Sequence, residues 1–418
     1  MALIAAGVLG WVIYHYAYDH FAQAAADQKP PKPVNINDVL KATVTALTLI
    51  GAVLAGLYAY RKQLLAEGDA HRADASQLAD RYTTAAEQLG HDQAAVRLAG
   101  VYALVRLADD WAEQRQVCID VLCAYLRMPY EPDHTAQGHK AGEREVRQTI
   151  IRVIRDHLQD PEARTAWCRN NFNFTGAVFD GGSFSTSHFQ GTVHFGGAWF
   201  TGGTVDFDRA TFSGGTVSFA DATFSGGTVH FRLSTFSGST VYFDRATFSG
   251  GTVNFTRAAF SGGTVNFTRA AFSGGTISFG GAAFSGGTVD FNRATFSGMA
   301  SFFGATFSGG TVNFGGATFT DGTVNFGDAT FSGGTVNFTR AAFSGGTVNF
   351  RDATFNGSTV NFRNATFNGS GVSFGAAFLG GTVDFGDATF NRGRVNFNSA
   401  TFSGTVFEWG PLPVPAGA

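Results

Sequence analysis

The sequence predicts an all-β solenoid that is preceded by an α-helical module and a two-helix membrane anchor. Three observations support this fold class. A twelve-residue unit with two phenylalanines repeats from Phe195 to Phe402, a 3.6-residue apolar periodicity runs from Gln63 to Leu158, and two uncharged apolar stretches lie before residue 62. We place the anchor at 1–62, the helical connector and N-terminal cap at 63–168, the solenoid at 169–407 and a C-terminal tail at 408–418.

The anchor is predicted from two apolar segments. Residues 42–60 contain nineteen residues without a charge, which is long enough to cross about 30 Å of hydrocarbon as a helix. Residues 2–18 are also apolar and carry Trp11 and three tyrosines that suit a membrane interface, although His15 interrupts them. Small residues such as Gly10 and Ala6 let a second helix approach closely. We therefore expect a hairpin of two antiparallel helices in the lipid bilayer, joined by the proline-rich linker at 29–33.

Each segment has an alternative. Residues 42–60 could form a buried core helix, but they lack a polar stripe at helical spacing. Residues 2–18 could be a cleaved signal peptide, but they lack the basic region that such a peptide needs. The two membrane helices therefore stay the favoured interpretation.

Basic residues and cysteines give the predicted location. The adjacent pair Arg61 and Lys62 follows the second apolar segment and favours a cytoplasmic C-terminal side. The three cysteines are odd in number and have neither disulfide-framework nor metal-knuckle spacing, which predicts reduced thiols. They are Cys118, Cys123 and Cys168. We expect the protein in the cell membrane, with its helical and solenoid domains in the cytoplasm.

The helical connector is punctuated by helix signals. Gly90 ends one helix, Asp92 is the expected N-cap of the next, and Pro129 ends a helix over 111–128. Residues 95–104 resemble one helix of a HEAT or armadillo repeat. The alternative is an ordinary amphipathic helix under the first coil of the solenoid, which needs a cap for its apolar end and its strand edges. In the last helix, over 143–158, His157 is expected to be a surface or capping residue.

The repeat is regular in its interior positions and variable elsewhere. Eighteen units run from Phe195 to Phe402, with phenylalanines spaced alternately by five and seven residues. The residue two before the first Phe is Val except at Ile277 and Ala300, and the residue two before the second Phe is Ala except at Ser234. An i, i−2 apolar pair around a polar residue is the pattern of a short strand with two inward side chains. Each unit therefore supplies two short strands.

Before these units, Phe174, Phe179, Phe184 and Phe189 are spaced by five residues. Here the chain resembles the pentapeptide-repeat family, and the resemblance covers about residues 172–407. It implies a square, right-handed coil with four faces and inward phenylalanines. If each corner turns the chain by about 90°, two units close a coil of about 24 residues, and nine coils follow. A flattened coil of 12 residues is the alternative. One-residue slips at 296–302 and 374–378, and Phe303 beside the first, are interpreted as local corner adjustments without a site.

The sequence predicts no enzyme and no catalytic, cofactor-binding or metal-binding residues. It contains no nucleophile motif, no glycine-rich loop between a strand and a helix, and no metal-spaced His and Cys cluster. The many Ser-Gly-Gly-Thr corners are interpreted as turns because they recur along the repeats. The glycosylation-like triplets at Asn254, Asn266 and Asn337 are interpreted as outward repeat positions.

Charge restricts the partners. Residues 170–408 contain twelve acidic side chains and eleven arginines, so nucleic acid is not expected to bind. The quinolone-resistance members of the family mimic DNA with a strongly acidic rod and bind topoisomerases, a role that this balance disfavours. We predict a non-enzymatic, membrane-anchored scaffold with an unidentified protein partner, and a homodimer stays open. It resembles membrane-attached pentapeptide-repeat proteins of actinobacteria. The alternatives are a DNA-mimic regulator of topoisomerase and a structural spacer on the cell envelope.

Overall fold

The computed structural model describes residues 2–27, 33–238 and 240–414, with the backbone alone for 2–5 and 66–75. The chain divides between Asp80 and Arg81 into two compact units. Only Pro33 of the predicted proline-rich linker falls within the described residues.

The first unit contains helix α1, Ala2–Ala26, and the start of helix α2, Ile36–Leu89. The helices touch at Gly10, where an added methyl group would lie 3.6 Å from Cδ1 of Leu47. Helix α2 continues past residue 62, where the sequence predicted that the anchor ends. Residues 61–65 are Arg, Lys, Gln, Leu and Leu, all strong helix formers, so nothing there stops the helix.

One segment of the first unit, Ile36–Leu65, is long and apolar enough to cross a membrane, with a mean hydropathy of 1.8. It contains the predicted span at 42–60. Over the residues that were described, α1 does not meet the same criterion. Its polar side chains at His15, Asp19 and His20 lower its hydropathy. The two-helix anchor therefore stays a prediction with one candidate span.

The helical module of the second unit contains α3, Ala94–Asp110, α4, Arg115–Arg127, and α5, Glu143–Asp156, with a short 3₁₀ turn at Ala112–Gln114. Gln93, rather than the expected Asp92, occupies the N-cap of α3. The helices pack through aliphatic side chains that are fully buried: Val101, Leu104, Ile119, Leu122, Ile150 and Ile154.

A buried ionic network ties α3, α4 and α5 together. Glu143 accepts hydrogen bonds from the Tyr125 hydroxyl at 2.8 Å and from Nε of Arg147 at 3.0 Å. The Arg97 guanidinium forms an ion pair with the same carboxylate at 3.3 Å. Arg147 also donates to three main-chain carbonyl oxygens at the end of α4 and lies 4.3 Å from the Tyr130 ring centroid. Removal of one partner from such a network leaves an uncompensated buried charge, which is strongly destabilising.

Over its described residues, 172–238 and 240–408, the solenoid contains 41 strands of two or three residues, β1–β41 in chain order, all paired in parallel. Successive strands occupy four sheets, which we call faces A to D. Val217 on face A pairs with Val193 and Val241, which are 24 residues before and after it. The predicted 24-residue coil is therefore confirmed, and the 12-residue alternative is wrong because it would have paired Val217 with Val205.

The strands of each face follow one another at intervals of one coil. Face A has eleven strands: Phe172–Asn173, Val193–His194, Thr216–Ser218, Thr240–Tyr242, Thr264–Asn266, Thr288–Asp290, Thr311–Asn313, Thr335–Asn337, Thr359–Asn361, Thr382–Asp384 and Val406–Glu408. Face B has ten: Val178–Phe179, Trp199–Phe200, Thr223–Phe224, Thr247–Phe248, Ala271–Phe272, Thr295–Phe296, Thr318–Thr320, Ala342–Ser344, Thr366–Asn368 and Thr389–Asn391.

Faces C and D complete each coil. Face C has ten strands: Gly182–Ser183, Thr204–Asp206, Thr228–His230, Thr252–Asn254, Thr276–Ser278, Met299–Ser301, Thr323–Asn325, Thr347–Asn349, Gly371–Ser373 and Arg394–Asn396. Face D has ten: His188–Phe189, Thr211–Phe212, Thr235–Ser237, Ala259–Ser261, Ala283–Ser285, Thr306–Ser308, Thr330–Ser332, Thr354–Asn356, Ala377–Leu379 and Thr401–Ser403.

Phenylalanine ladders fill the interior, one along each face. Phe267 is fully buried, and its ring lies nearly parallel to those of Phe243 and Phe291, with centroids 4.8 Å away on either side. Phe279 meets it edge-on at 5.7 Å. Stacked and edge-on pairs are the favourable geometries for aromatic rings. The predicted inward phenylalanines are thus confirmed as the core.

The helical module covers the first coil. Helix α4 packs on β1 and α5 on β3. The main-chain carbonyl of Leu158 accepts from the amide of His188 at 2.8 Å, which pairs part of the first strand edge. Asp180 accepts from the Tyr130 hydroxyl and from Nε of Arg144, both at 2.8 Å. These contacts fix the module to the solenoid as its N-terminal cap.

Candidate interaction surface

The outer surface of the solenoid is built on two kinds of corner. Narrow corners of two residues join faces A to B and C to D, and each is a β-turn such as that closed by the 3.0 Å bond from the Ala210 amide to the Phe207 carbonyl. The second corner residue has a φ near +60°, a conformation that costs most residues roughly 1–2 kcal/mol. Six of these positions are arginines with φ between 56° and 60°: Arg209, Arg245, Arg257, Arg269, Arg293 and Arg340.

Wide corners join faces B to C and D to A. In Ser285-Gly-Gly-Thr288 the second glycine, Gly287, has a φ of +71°. A side chain there would collide with the carbonyl oxygen of Gly263 in the preceding coil. Only glycine fits such a position. These segments are therefore turns, and in this one the second glycine is required by close backbone approach.

Outward asparagines cap the narrow corners. Oδ1 of Asn266 accepts the amide N–H of Thr268 at 2.8 Å, and Asn254 and Asn337 bind their own following threonines in the same way. The amide group of Asn337 also donates to Asn313 one coil earlier, at 3.1 Å. The Asn-Phe-Thr triplets are therefore turn-capping units. The sequence placed these asparagines outside but did not show this role.

Charged corner residues pair between neighbouring coils. Arg245 makes two hydrogen bonds of 2.7 Å to the two carboxylate oxygens of Asp221, and Nε and Nη2 of Arg232 both donate to Oδ2 of Asp208. The hydrogen-bonded Arg245 guanidinium lowers the pKa of Asp221 below its usual value. Such pairs neutralise part of the surface charge. The remaining surface is mainly polar and uncharged.

Residues that the sequence singled out in the helical module serve structure. Burial raises the pKa of Cys118 and Cys168 to about 11 and that of Cys123 to about 12, so all three are inert neutral thiols at pH 7. His157 lies at the end of α5, with Nδ1 2.7 Å from the Val153 carbonyl oxygen, and it stacks on Trp167. Within the described parts of the chain, no group of three His, Cys, Asp or Glu residues is placed to hold a metal ion.

Two apolar side chains interrupt the polar surface at one coil. Met299, on face C, is 53% exposed, and Phe303, at the following C–D corner, is 50% exposed. Phe303 belongs to none of the four ladders. The sequence signal for this feature was the one-residue slip at 296–302, which was interpreted as a corner adjustment. The exposure itself could not be read from the sequence.

The last coil presents a second apolar region. Its core rings are only half-buried, and they border an open depression of about 1170 Å³ lined by Phe390, Phe397, Phe402 and Leu412. Trp409 stacks on Phe407 at 4.3 Å and covers part of these rings.

Comparison with known proteins identifies the repeat. Residues 279–330, about two coils, match the family described as Pentapeptide repeats (9 copies). Searches of curated proteins and of solved structures find no significant match. The matched segment contains regular coils on both sides of the exposed Phe303.

Proposed function

Because the solenoid of this chain belongs to the pentapeptide-repeat family, we propose that the protein is a non-enzymatic scaffold, anchored in a membrane, that binds other proteins along its solenoid. The observation that carries this proposal is a stack of about ten coils whose interior is closed by aromatic ladders. Such a stack displays rigid ranks of mostly polar side chains, in which threonine and asparagine recur. A preordered surface of this kind loses little conformational entropy when a partner binds.

The anchor of the proposed scaffold is Ile36–Leu65, which has the length and composition of a membrane span. The pair Arg61 and Lys62 near the end of this segment supports a cytoplasmic position for the rest of the chain. A scaffold held in this way would concentrate its partners at the inner membrane surface.

DNA mimicry is the less favoured function. Twelve acidic side chains in residues 170–408 face eleven arginines, and the observed pairs of Arg245 with Asp221 and Arg232 with Asp208 reduce the field further. A DNA mimic needs a dense row of unpaired negative charge. We therefore expect no inhibition of DNA gyrase by the purified protein at micromolar concentration. Potent inhibition that weakened steeply with added salt would favour mimicry instead.

Membrane fractionation followed by proximity labelling tests the scaffold. The full chain, with a biotin ligase at its C-terminus, should stay in the membrane pellet after carbonate extraction and should label cytoplasmic proteins. A variant that lacks residues 1–62 should be soluble. Recovery of the full chain in the soluble fraction would refute the anchor, and labelling confined to extracytoplasmic proteins would refute the orientation. The control is the biotin ligase alone, attached to the same membrane. If the full chain enriches no protein relative to this control, the scaffold function is refuted.

A further inference from the structure

The C–D edge, the row of narrow corners between faces C and D, has an unusual order of residues over four successive coils. The first corner is Thr256-Arg257, the second is Gly280-Gly281, the third is Phe303-Gly304 and the fourth is Gly327-Asp328. In this order, the corners carry a cationic side chain, no side chain, an aromatic ring and an anionic side chain. They are spaced by roughly 4.8 Å, the separation of stacked strands.

The two middle corners differ in shape: Phe303 projects from the third corner, and the second corner is a depression between its neighbours. The Phe303 ring is half exposed and leans towards the fourth corner, where a methyl group on Gly327 would lie 3.3 Å from its Cδ2. The second corner carries no side chain. A methyl group on Gly281 would lie 3.5 Å from Cγ of Arg257, so the aliphatic stem of that arginine forms one wall of the depression.

The charged pair flanks these two corners. Arg257 and Asp328 are both exposed, and both have a φ of 56°. Among the residues that the structure describes, neither has an ion-pair partner, in contrast to Arg232 and Arg245. Two opposite charges that are three coils apart on one edge cannot pair within the same molecule.

The row of four corners is complementary to the same row running in the opposite direction in a second copy. A two-fold axis that crosses the edge midway between the second and third corners exchanges the first corner with the fourth and the second with the third. Arg257 of each copy then faces Asp328 of the other. The Phe303 corner of each copy lies opposite Gly280 and Gly281 of the other, and its ring leans towards the Arg257 corner of that copy. We propose that the C–D edge is the contact between two antiparallel copies of this chain.

A second copy fits this edge better than an unrelated partner because isologous contacts require exactly such reciprocal matches. All four corners match, including both charges. The inference goes beyond the proposed scaffold function and does not depend on membrane anchoring. The contact is narrow and smaller than a standard interface of about 1,600 Å², so we expect a weak dimer.

Charge reversal in the full-length protein tests the proposal. Sedimentation velocity in detergent, over a range of protein concentrations, gives the dissociation constant of the dimer. Arg257→Glu and Asp328→Arg should each raise it about tenfold or more, because each places two like-charged pairs in the contact. The double variant should restore the value of the unmodified protein. Phe303→Ser should also raise the dissociation constant.

Arg269→Glu is the matched control, since Arg269 is an exposed corner arginine with a φ of 59° on the A–B edge. It should leave the dissociation constant unchanged. Three results would overturn the proposal: full-length protein that stays monomeric at the highest concentration, single reversals that behave like the control, or a double variant that fails to restore association. Dimerisation through the apolar helices would produce the second of these results.

Discussion

Replacement of Phe267 by alanine should remove one complete ring from the interior of the solenoid. The ring is fully buried between Phe243 and Phe291, each 4.8 Å away. Main-chain pairing sets this spacing, so the neighbouring coils cannot move together to close the gap. Large-to-small substitutions of buried aromatic residues cost about 3–5 kcal/mol, and they cost more where the cavity cannot collapse. We therefore expect the free energy of unfolding to fall by about 4 kcal/mol.

Asn266 is the matched comparison, because it is adjacent in sequence and points outward. Asn266→Ala removes the 2.8 Å bond from the Thr268 amide, a partner that water can replace. The expected loss is about 0.5–1.5 kcal/mol, the net contribution of one hydrogen bond. The ratio of the two effects therefore measures the difference between an inward and an outward position.

Urea unfolding of the full-length protein in detergent, followed by far-ultraviolet circular dichroism, measures both variants. Because each coil contacts only its neighbours, hydrogen exchange resolved along the chain should show the loss of protection centred on residues 243–291. Equal destabilisation by the two substitutions, or a uniform loss of protection along all coils, would refute this account of the core.

Two further predictions concern the helical module. Arg147→Met should lower the free energy of unfolding by about 3–5 kcal/mol because it leaves Glu143 buried with fewer partners. Arg106 is exposed, so Arg106→Met should have little effect. Urea unfolding measures both variants, and similar losses of unfolding free energy would contradict a network role for Arg147. Burial raises the thiol pKa values from 9.0 to about 11 or 12. The stability that the neutral thiols contribute should therefore be complete below pH 9 and lost as the pH rises through 11. Native protein at pH 8 should resist alkylation, and rapid alkylation without unfolding would contradict the burial of the thiols. These thiols are Cys118, Cys123 and Cys168.

Much of the solenoid could be predicted because its interior tolerates few residue types. A ring at each inward position and a small side chain two residues earlier are steric requirements, so they recur and are visible in the sequence. The sequence alone is compatible with two coil lengths. The sequence around Val217 is compatible with pairing to Val205, as in a 12-residue coil, and to Val241, as in a 24-residue coil. Only the angle of each corner decides between the two pairings.

The features that escaped sequence analysis depend on neighbours that are distant along the chain. Arg147 and Tyr125 lie on different helices, and their shared contact with Glu143 has no local signature. The cap made by Asn266 requires a turn geometry that the residue type alone does not specify. The continuous α2 was missed because a change from apolar to charged residues marks the end of a membrane segment without ending a helix.

Two nearly identical half-turns in every coil have a consequence for how the domain can change over generations. Recombination between repeated gene segments adds or removes whole units, and either half-turn can follow the other because both close on phenylalanine. An even number of units leaves the facing of every later residue unaltered. An odd number rotates everything downstream by half a turn and would carry Phe303 to the opposite edge. Such an event would leave the packing of the interior nearly unchanged, but it would move the exposed side chains of all later coils to other edges in a single step.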